Sequence, residues 1–294
     1  MAIAETAYAK VNLYLHITGI RDDGYHELDS LFAFLELGDR LVFSPAPDLS
    51  LKAKGPFGSD VPETGDNLVL RAARALQQAT DCSSGAEIVL DKRLPVASGI
   101  GGGSADAAAT LRGLNKLWHL GQSDTTLEHI GATIGADVPA CVSSRMAYIS
   151  GIGETLQPAS ERHSAWLVLV NPGVSLSTPL VFQRFDETYS ALHQPEGLVP
   201  QDRLDSWIAA LHARENVLQP AACEKAPVID RVIRALSATA GCSFARMSGS
   251  GATCFGVFAD SSTAADAAAH LSRDHPDWWV ACSKLRTSEL EDAE

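Results

Sequence analysis

Leu94 to Leu117 reads LPVASGIGGGSADAAATLRGLNKL, and the rest of the chain is organised around it. An apolar turn, Leu94-Pro95-Val96-Ala97, leads into Ser98-Gly99-Ile100-Gly101-Gly102-Gly103-Ser104 and then into an alanine-rich segment. Four of the five residues from Gly99 to Gly103 lack a Cβ, which opens backbone angles closed to other residues. Successive N–H groups can then converge as an anion-binding nest. Ser104 is a good N-cap residue, so a helix is expected to start there. Ala107, Ala108, Leu111, Leu114 and Trp118 recur at helical spacing and mark its buried face. A glycine nest leading into a helix N-terminus suits a phosphate. The local pattern alone also fits a flexible loop that caps a helix.

Better-known phosphate loops do not match. A P-loop needs a Lys after its last glycine, and the chain contains no Gly-Lys pair. The dinucleotide fingerprint needs three set glycines; counted from Gly99, the third position is Ser104. The HRD and DFG elements of protein kinases are both missing. Length and composition narrow the classes further. The chain has 294 residues, enough for about two domains. Its net charge is 23 − 36 = −13, and no run of Lys and Arg suggests a nucleic-acid surface. Phosphate binding in so acidic a protein requires cations gathered locally. The six cysteines show no C-x-x-C and no metal-ligand spacing. The start, MAIAETAYAK, does not read as a signal peptide, and no apolar run reaches membrane-spanning length. These features lead us to expect a cytoplasmic protein with free thiols.

Residues 7–17, AYAKVNLYLHI, alternate as a strand. Lys10 and Asn12 share its polar face, which in the plainest reading is open to solvent. The turn GIRDDG delivers Tyr25 and His26 to the start of a second apolar stretch, a place from which side chains can reach a ligand. A packing aromatic and a surface histidine are the plainer readings. Asn67 caps a helix, NLVLRAARALQQA. Lys92 and Arg93 follow a short strand and precede the glycines, either as local positive charge or as an exposed strand end. Thr125-x-x-Glu128 reads as a capping box. Asp137, ahead of Val138-Pro139, reads as an ordinary N-cap or as a carboxylate base in apolar surroundings. QPASERHS, 157–164, is the best domain boundary, dividing the chain into 1–158 and 159–294. Thr178 before Pro179 reads as an N-cap of a helix that contains Phe182. Two helices are expected at about 204–220 and 225–239. A second glycine-rich turn, MSGSGA, precedes the strand CFGVF.

Three separated segments then agree. AKVNLYLHITGIRDDGYHEL, LPVASGIGGGSADAAATL and MSGSGATCFGVF resemble, in order, the three signature motifs of the GHMP small-molecule kinases. DKRLP before the glycines and IGADVPACV after them fit one branch of that family. The resemblance covers nearly the whole chain. It implies an α+β fold of two domains, an N-terminal ribosomal-protein-S5-like domain that binds ATP and a C-terminal ferredoxin-like domain that contributes to the substrate site. It implies phosphorylation, by ATP, of the 2-hydroxyl of 4-diphosphocytidyl-2-C-methyl-D-erythritol. A family member acting on another small alcohol, or a non-catalytic nucleotide-binding relative, are the alternatives.

The resemblance also assigns roles. Asp137 matches the proposed base and Lys10 the cation that holds it ionised. Pro95, Ser98, Gly99, Gly101, Gly102, Gly103 and Ser104 match the loop over the ATP phosphates; Asn67 and Lys92 match the region lining the adenine. Tyr25 and Phe182 match the residues that sandwich the cytosine ring, and His26 the one that hydrogen-bonds its edge. Asn12 and Thr178 match positions near the acceptor hydroxyl and diphosphate. Two departures stand out: Ser104 is followed by Ala105 where the family often has a second serine, and Ile100 replaces a leucine. Relatives whose second hydroxyl helps hold Mg²⁺ are therefore poor guides, and Mg²⁺ is expected as the ATP complex without an assigned protein ligand. Asp106 is a candidate, or simply a first-turn acid favoured by the helix dipole.

Overall fold

A computed structural model describes residues 1–64, 66–159, 163–188, 201 and 203–287. Of the expected boundary at 157–164, residues 160–162 lie outside the described residues, and so do 193–200 and 202 of the stretch 193–203, which its sequence predicts to be a loop. Internal contacts divide the chain into two units. The first comprises 1–10, 37–96 and 101–144; the second comprises 11–36, 97–100 and 145–294.

Two long strands, β1 (Ile3–Ile20) and β2 (His26–Ala46), contribute to both units. In the first unit, β2 from Arg40 to Ala46 pairs antiparallel with β4 (Gly85–Asp91), and β3 (Leu49–Lys54) pairs parallel with β4. Four helices join them: α1 (Leu68–Thr80), α2 (Gly102–Leu117), α3 (Asp124–Ala132) and α4 (Val138–Ser143). Helix α1 forms where Asn67 accepts from the Val69 amide, as its position before an apolar repeat predicts. Helix α2 is buried along nearly its whole length, because its run of alanines lets neighbours approach on several sides. It starts earlier than expected. Gly101, in the left-handed region at φ +65°, is the N-cap, and Ser104 lies within the first turn. A glycine tolerates that angle at no steric cost, so the helix begins where the backbone permits rather than where a hydroxyl caps. The N-cap of α3 is likewise Ser123, accepting from Thr126, rather than Thr125.

In the second unit, β2 from Ser30 to Phe32 pairs with β5 (Ala147–Ser150), which forms a hairpin with β6 (Thr155–Pro158). A separate antiparallel sheet combines β7 (Trp166–Asn171), β8 (Phe244–Met247), β9 (Cys254–Phe258) and β10 (Trp279–Lys284) in the order β10-β7-β9-β8. Its inner strands, VLV in β7 and CFGVF in β9, are buried throughout. Helices α8 (Val228–Ser237) and α9 (Ser261–Asp274) bury Ile229, Val232, Leu236, Ala264, Ala267 and Leu271 in the same core. The β-α-β-β-α-β sequence of these elements is the ferredoxin-like arrangement. Helix α5 (Thr178–Thr188) contributes Val181 and Phe185 to that core.

Where two helices were expected after residue 203, three occur: α6 (Leu204–His212), α7 (Gln219–Lys225) and α8. The break at 213–218 has a backbone cause. Leu15 donates to the Glu215 carbonyl and Val217 donates to that of Leu15, so the segment runs extended beside β1. All six cysteines are free. Among the described residues no helix is long and apolar enough to cross a membrane.

Candidate functional site

The polar face of β1 is not open to solvent. Lys10, Asn12, Tyr14 and His16 are all buried, although they alternate with an equally buried apolar set. Burying a charge is costly unless it is paired, so the partners of these residues define the candidate site.

In the first unit, Lys10 Nζ lies 2.8 Å from Asp137 Oδ2. The lysine side chain is 5% exposed and the aspartate 34%. Asp137 does occupy the N-cap position of α4, but its side chain makes no capping bond. It turns to the lysine instead, and its carboxylate keeps one side open. Gly101 closes on the same lysine: a Cβ there would stand 3.1 Å from Lys10 Cε. The next glycine closes on another cation. A Cβ at Gly102 would lie 3.2 Å from Lys92 Nζ. Gly103 is exposed and Ser104 half-buried at the start of α2.

Lys92 Nζ donates to Asp39 Oδ2 at 2.7 Å and to Asp106 Oδ2 at 2.6 Å, and all three side chains are buried. Burial alone would lower the lysine pKa, but the two carboxylates outweigh it and hold it raised. One cation cannot neutralise two carboxylates. Burial, with the Asp39 charge alongside, therefore pushes Asp106 up to about 7 against the pull of Lys92. Asp39 is the better served of the two, since its Oδ1 also accepts from the Arg93 and Leu94 amides. It thus fastens the DKRLP segment that leads into the glycines. Asn67 uses both ends of its amide locally, accepting from Val69 and donating to the Pro62 carbonyl.

In the second unit, the first half of the glycine loop meets the MSGSGA turn. The Thr253 amide donates to Ser98 O at 3.1 Å, and Ser248 Oγ donates to Gly99 O at 2.9 Å. Gly99 sits at φ +79°, and a Cβ there would approach the Ser248 and Gly251 carbonyl oxygens within 2.7 Å. The same Ser248 hydroxyl accepts from the Asn12 amide at 3.1 Å. The Asn12 side-chain amide donates to Ser30 Oγ at 2.9 Å, which turns the Asn12 carbonyl oxygen the other way. Arg246, just before the turn, donates to the carbonyls of Leu13, Leu211 and Arg214. Burial lowers its pKa to about 10. Pro95 is buried at the head of the loop.

A second cluster in this unit brings together His26 and Phe182, two of the residues expected at the cytosine. The His26 ring lies 4.7 Å from that of Phe182, tilted by 44°. Tyr25 is beside it in the chain and 60% exposed. Thr178 Oγ1 and Ser250 Oγ are 2.7 Å apart, which links the first turn of α5 to the MSGSGA turn. Asp39, Ser30 and Asp186 escaped the sequence reading, and Ser248 entered it only as part of the MSGSGA turn. Only Asp39 carried a local signal, an acid within the apolar run LELGDRLVF.

The GHMP kinases N terminal domain model matches residues 67–145, and the GHMP kinases C terminal model matches 196–277. A crystal structure of 4-(cytidine 5'-diphospho)-2C-methyl-D-erythritol kinase superposes with TM-score 0.75 at 34% identity, covering 96% of this chain and 98% of that one. Homoserine kinase from Cytophaga hutchinsonii, at TM-score 0.71 and 15% identity, covers 97% and 95% and shares the fold. A curated relative from Paramagnetospirillum magneticum, named 4-diphosphocytidyl-2-C-methyl-D-erythritol kinase, is 51% identical over 95% of this chain and 97% of its own. One from Parvibaculum lavamentivorans with the same name is 48% identical over 96% and 97%. The chain belongs to the GHMP kinase family of ATP-dependent enzymes, and within it to the 4-diphosphocytidyl-2-C-methyl-D-erythritol kinases.

Proposed function

We propose that the protein transfers the γ-phosphoryl group of ATP to the 2-hydroxyl of 4-diphosphocytidyl-2-C-methyl-D-erythritol, in the non-mevalonate route to isopentenyl diphosphate. The carrying observation is the Lys10–Asp137 pair, a carboxylate with one open side held 2.8 Å from a buried ammonium. Phosphoryl transfer asks a protein mainly to position the groups and stabilise charge. The acceptor hydroxyl must lose its proton as it attacks, and Asp137 is the group that takes it. Lys10 lies beside that carboxylate and offsets charge that develops on the transferring group. Gly99 and Gly101 to Ser104 hold the phosphates through their amides and the N-terminus of α2. Ser98 and Pro95 shape the entry to that loop. Asn67 and Lys92 belong to the region that lines the adenine. Asn12 and Thr178 address the acceptor end, and Tyr25, His26 and Phe182 the cytosine.

Mg²⁺ comes to the site as the ATP complex. Among the described residues no group of three or more His, Cys, Asp and Glu gathers to hold a metal. Asp106, the earlier candidate, gives one oxygen to Lys92, and its other oxygen is buried. These residues do not form a cage for the ion, and no step is assigned to it. The enzyme works in the cytoplasm on a small molecule, as a monomer or weak homodimer.

The test is phosphate transfer from Mg-ATP to the cytidine compound, run beside its uridine analogue. Transfer to the cytidine compound with rejection of uridine supports both the reaction and the pocket. Absence of transfer to either, with ATP bound, sinks the reading. Another acceptor alcohol would instead leave KM unchanged in Tyr25→Ala and Phe182→Ala.

A further inference from the structure

His26 is the first residue of β2, and its side chain is only 11% exposed. Its Nε2 lies 2.7 Å from Asp186 Oδ1. Asp186 stands one turn after Phe182 on α5, so both reach the same imidazole from one helix face. Phe185 adds an edge contact, its ring centroid 6.4 Å away at 76°. The ring is thus flanked by Phe182 and Phe185 and held at one nitrogen by a carboxylate. Nothing in the resemblance to other kinases gave Asp186 a role.

An ionised carboxylate only accepts hydrogen bonds, so the hydrogen of a neutral His26 must sit on Nε2. Nδ1 then presents a lone pair. A neutral imidazole is donor at one nitrogen and acceptor at the other, and its partner at the first decides its behaviour at the second. Cytosine offers a 4-amino donor where uracil offers a 4-keto acceptor. A lone pair at Nδ1 welcomes the amino group and repels the keto oxygen.

We propose that Asp186 is the specificity-determining residue for the base: it positions His26 with the hydrogen on Nε2, so that Nδ1 accepts from the 4-amino group of cytosine. The proposal rests on the reading of His26 as the base-edge residue given above. Asp186 does not touch the reacting atoms and acts through His26. Stacking by Tyr25 and Phe182 tolerates any base. Selection therefore falls to a hydrogen bond whose direction a carboxylate sets from behind.

The experiment compares kcat/KM for the cytidine substrate and its uridine analogue in the wild type and in four variants. Asp186→Ala removes the acceptor and frees the tautomer. Asp186→Lys offers only donors and drives the hydrogen to Nδ1. Asp186→Asn keeps an acceptor oxygen. His26→Ala removes the ring. The cytidine-to-uridine ratio should fall at least about tenfold in Asp186→Ala. It should fall further in Asp186→Lys and largely survive in Asp186→Asn. Nitrogen-15 NMR of the imidazole should show Nε2 protonated in the wild type and Nδ1 protonated in Asp186→Lys. A packing role alone would not move that signal. An unchanged ratio in Asp186→Ala and Asp186→Lys, or a hydrogen found on Nδ1 in the wild type, overturns the proposal. If the ratio collapses in His26→Ala but not in the Asp186 variants, only the role of Asp186 fails. If it survives His26→Ala, the base-edge reading fails with it.

Discussion

Lys10 and Lys92 belong to the same unit, and consecutive glycines, Gly101 and Gly102, rest against them. Both ammonium groups meet carboxylates within 2.8 Å. The carboxylate that Lys10 meets, Asp137, is a third exposed. Lys92 has two, and neither reaches solvent to any extent. The carboxylate beside Lys10 keeps an exposed face from which it can take a proton. Charge near Lys92 is in deficit and sealed away. A lysine near a phosphate loop is therefore not by itself a phosphate ligand: burial and the count of opposite charges decide whether it serves chemistry or holds the fold.

The comparison can be broken at its catalytic arm first. Asp137→Asn and Lys10→Met should each lower kcat by about 10²–10⁴-fold while the far-UV spectrum stays near wild type. Rapid-quench turnover measures it, and near-normal rates in either folded variant would remove the base assignment. At the structural arm, Lys92→Met strands two buried carboxylates. Urea unfolding should show a loss of about 3–5 kcal/mol. Should stability hold while ATP affinity falls, Lys92 belongs with Lys10 and the contrast disappears.

The glycines sharpen the contrast. Gly101→Ala forces a Cβ into the left-handed region, at a cost of about 1–2 kcal/mol, and presses it on Lys10. It should reduce both kcat and stability. Gly102 carries no such backbone angle. Its alanine variant should act mainly by crowding Lys92, with the smaller effect on kcat. Similar kcat losses in both would argue for a general loop effect.

The smallest effect is a pH slope. Burial, helped by the Asp39 charge, lifts Asp106 from 3.8 to about 7 in the folded protein. The folded state keeps that proton where the unfolded chain has already released it. The resulting stabilisation is complete below about pH 4, declines as pH rises towards 7, and is gone above. Asp106→Asn should flatten this part of the stability profile, read as urea midpoints across the interval. An unaltered slope would place the titration elsewhere.

Much of this was legible in advance because it rests on local chemistry. The alanine helix, the alternation in β1 and the Asn67 cap are short-range patterns, and each became the expected element. The exact start of α2 was not, since the reading looked for a capping hydroxyl and the chain used a left-handed glycine. The break between α6 and α7 was missed because it is imposed by backbone bonds to Leu15, some 200 residues away. The polar face of β1 looked solvent-facing because alternation reports two faces without saying what covers each.

The sequence by itself determined the family and most of the local elements, since these show in residue type and spacing. The tertiary structure decided how they divide their work. It turned Asp137 from a cap to the partner of Lys10, enclosed Lys92 between two acids, and set Asp186 behind His26. The physical reason is that charge and hydrogen-bond direction depend on distance and burial, and neither is a property of a residue's place in the chain.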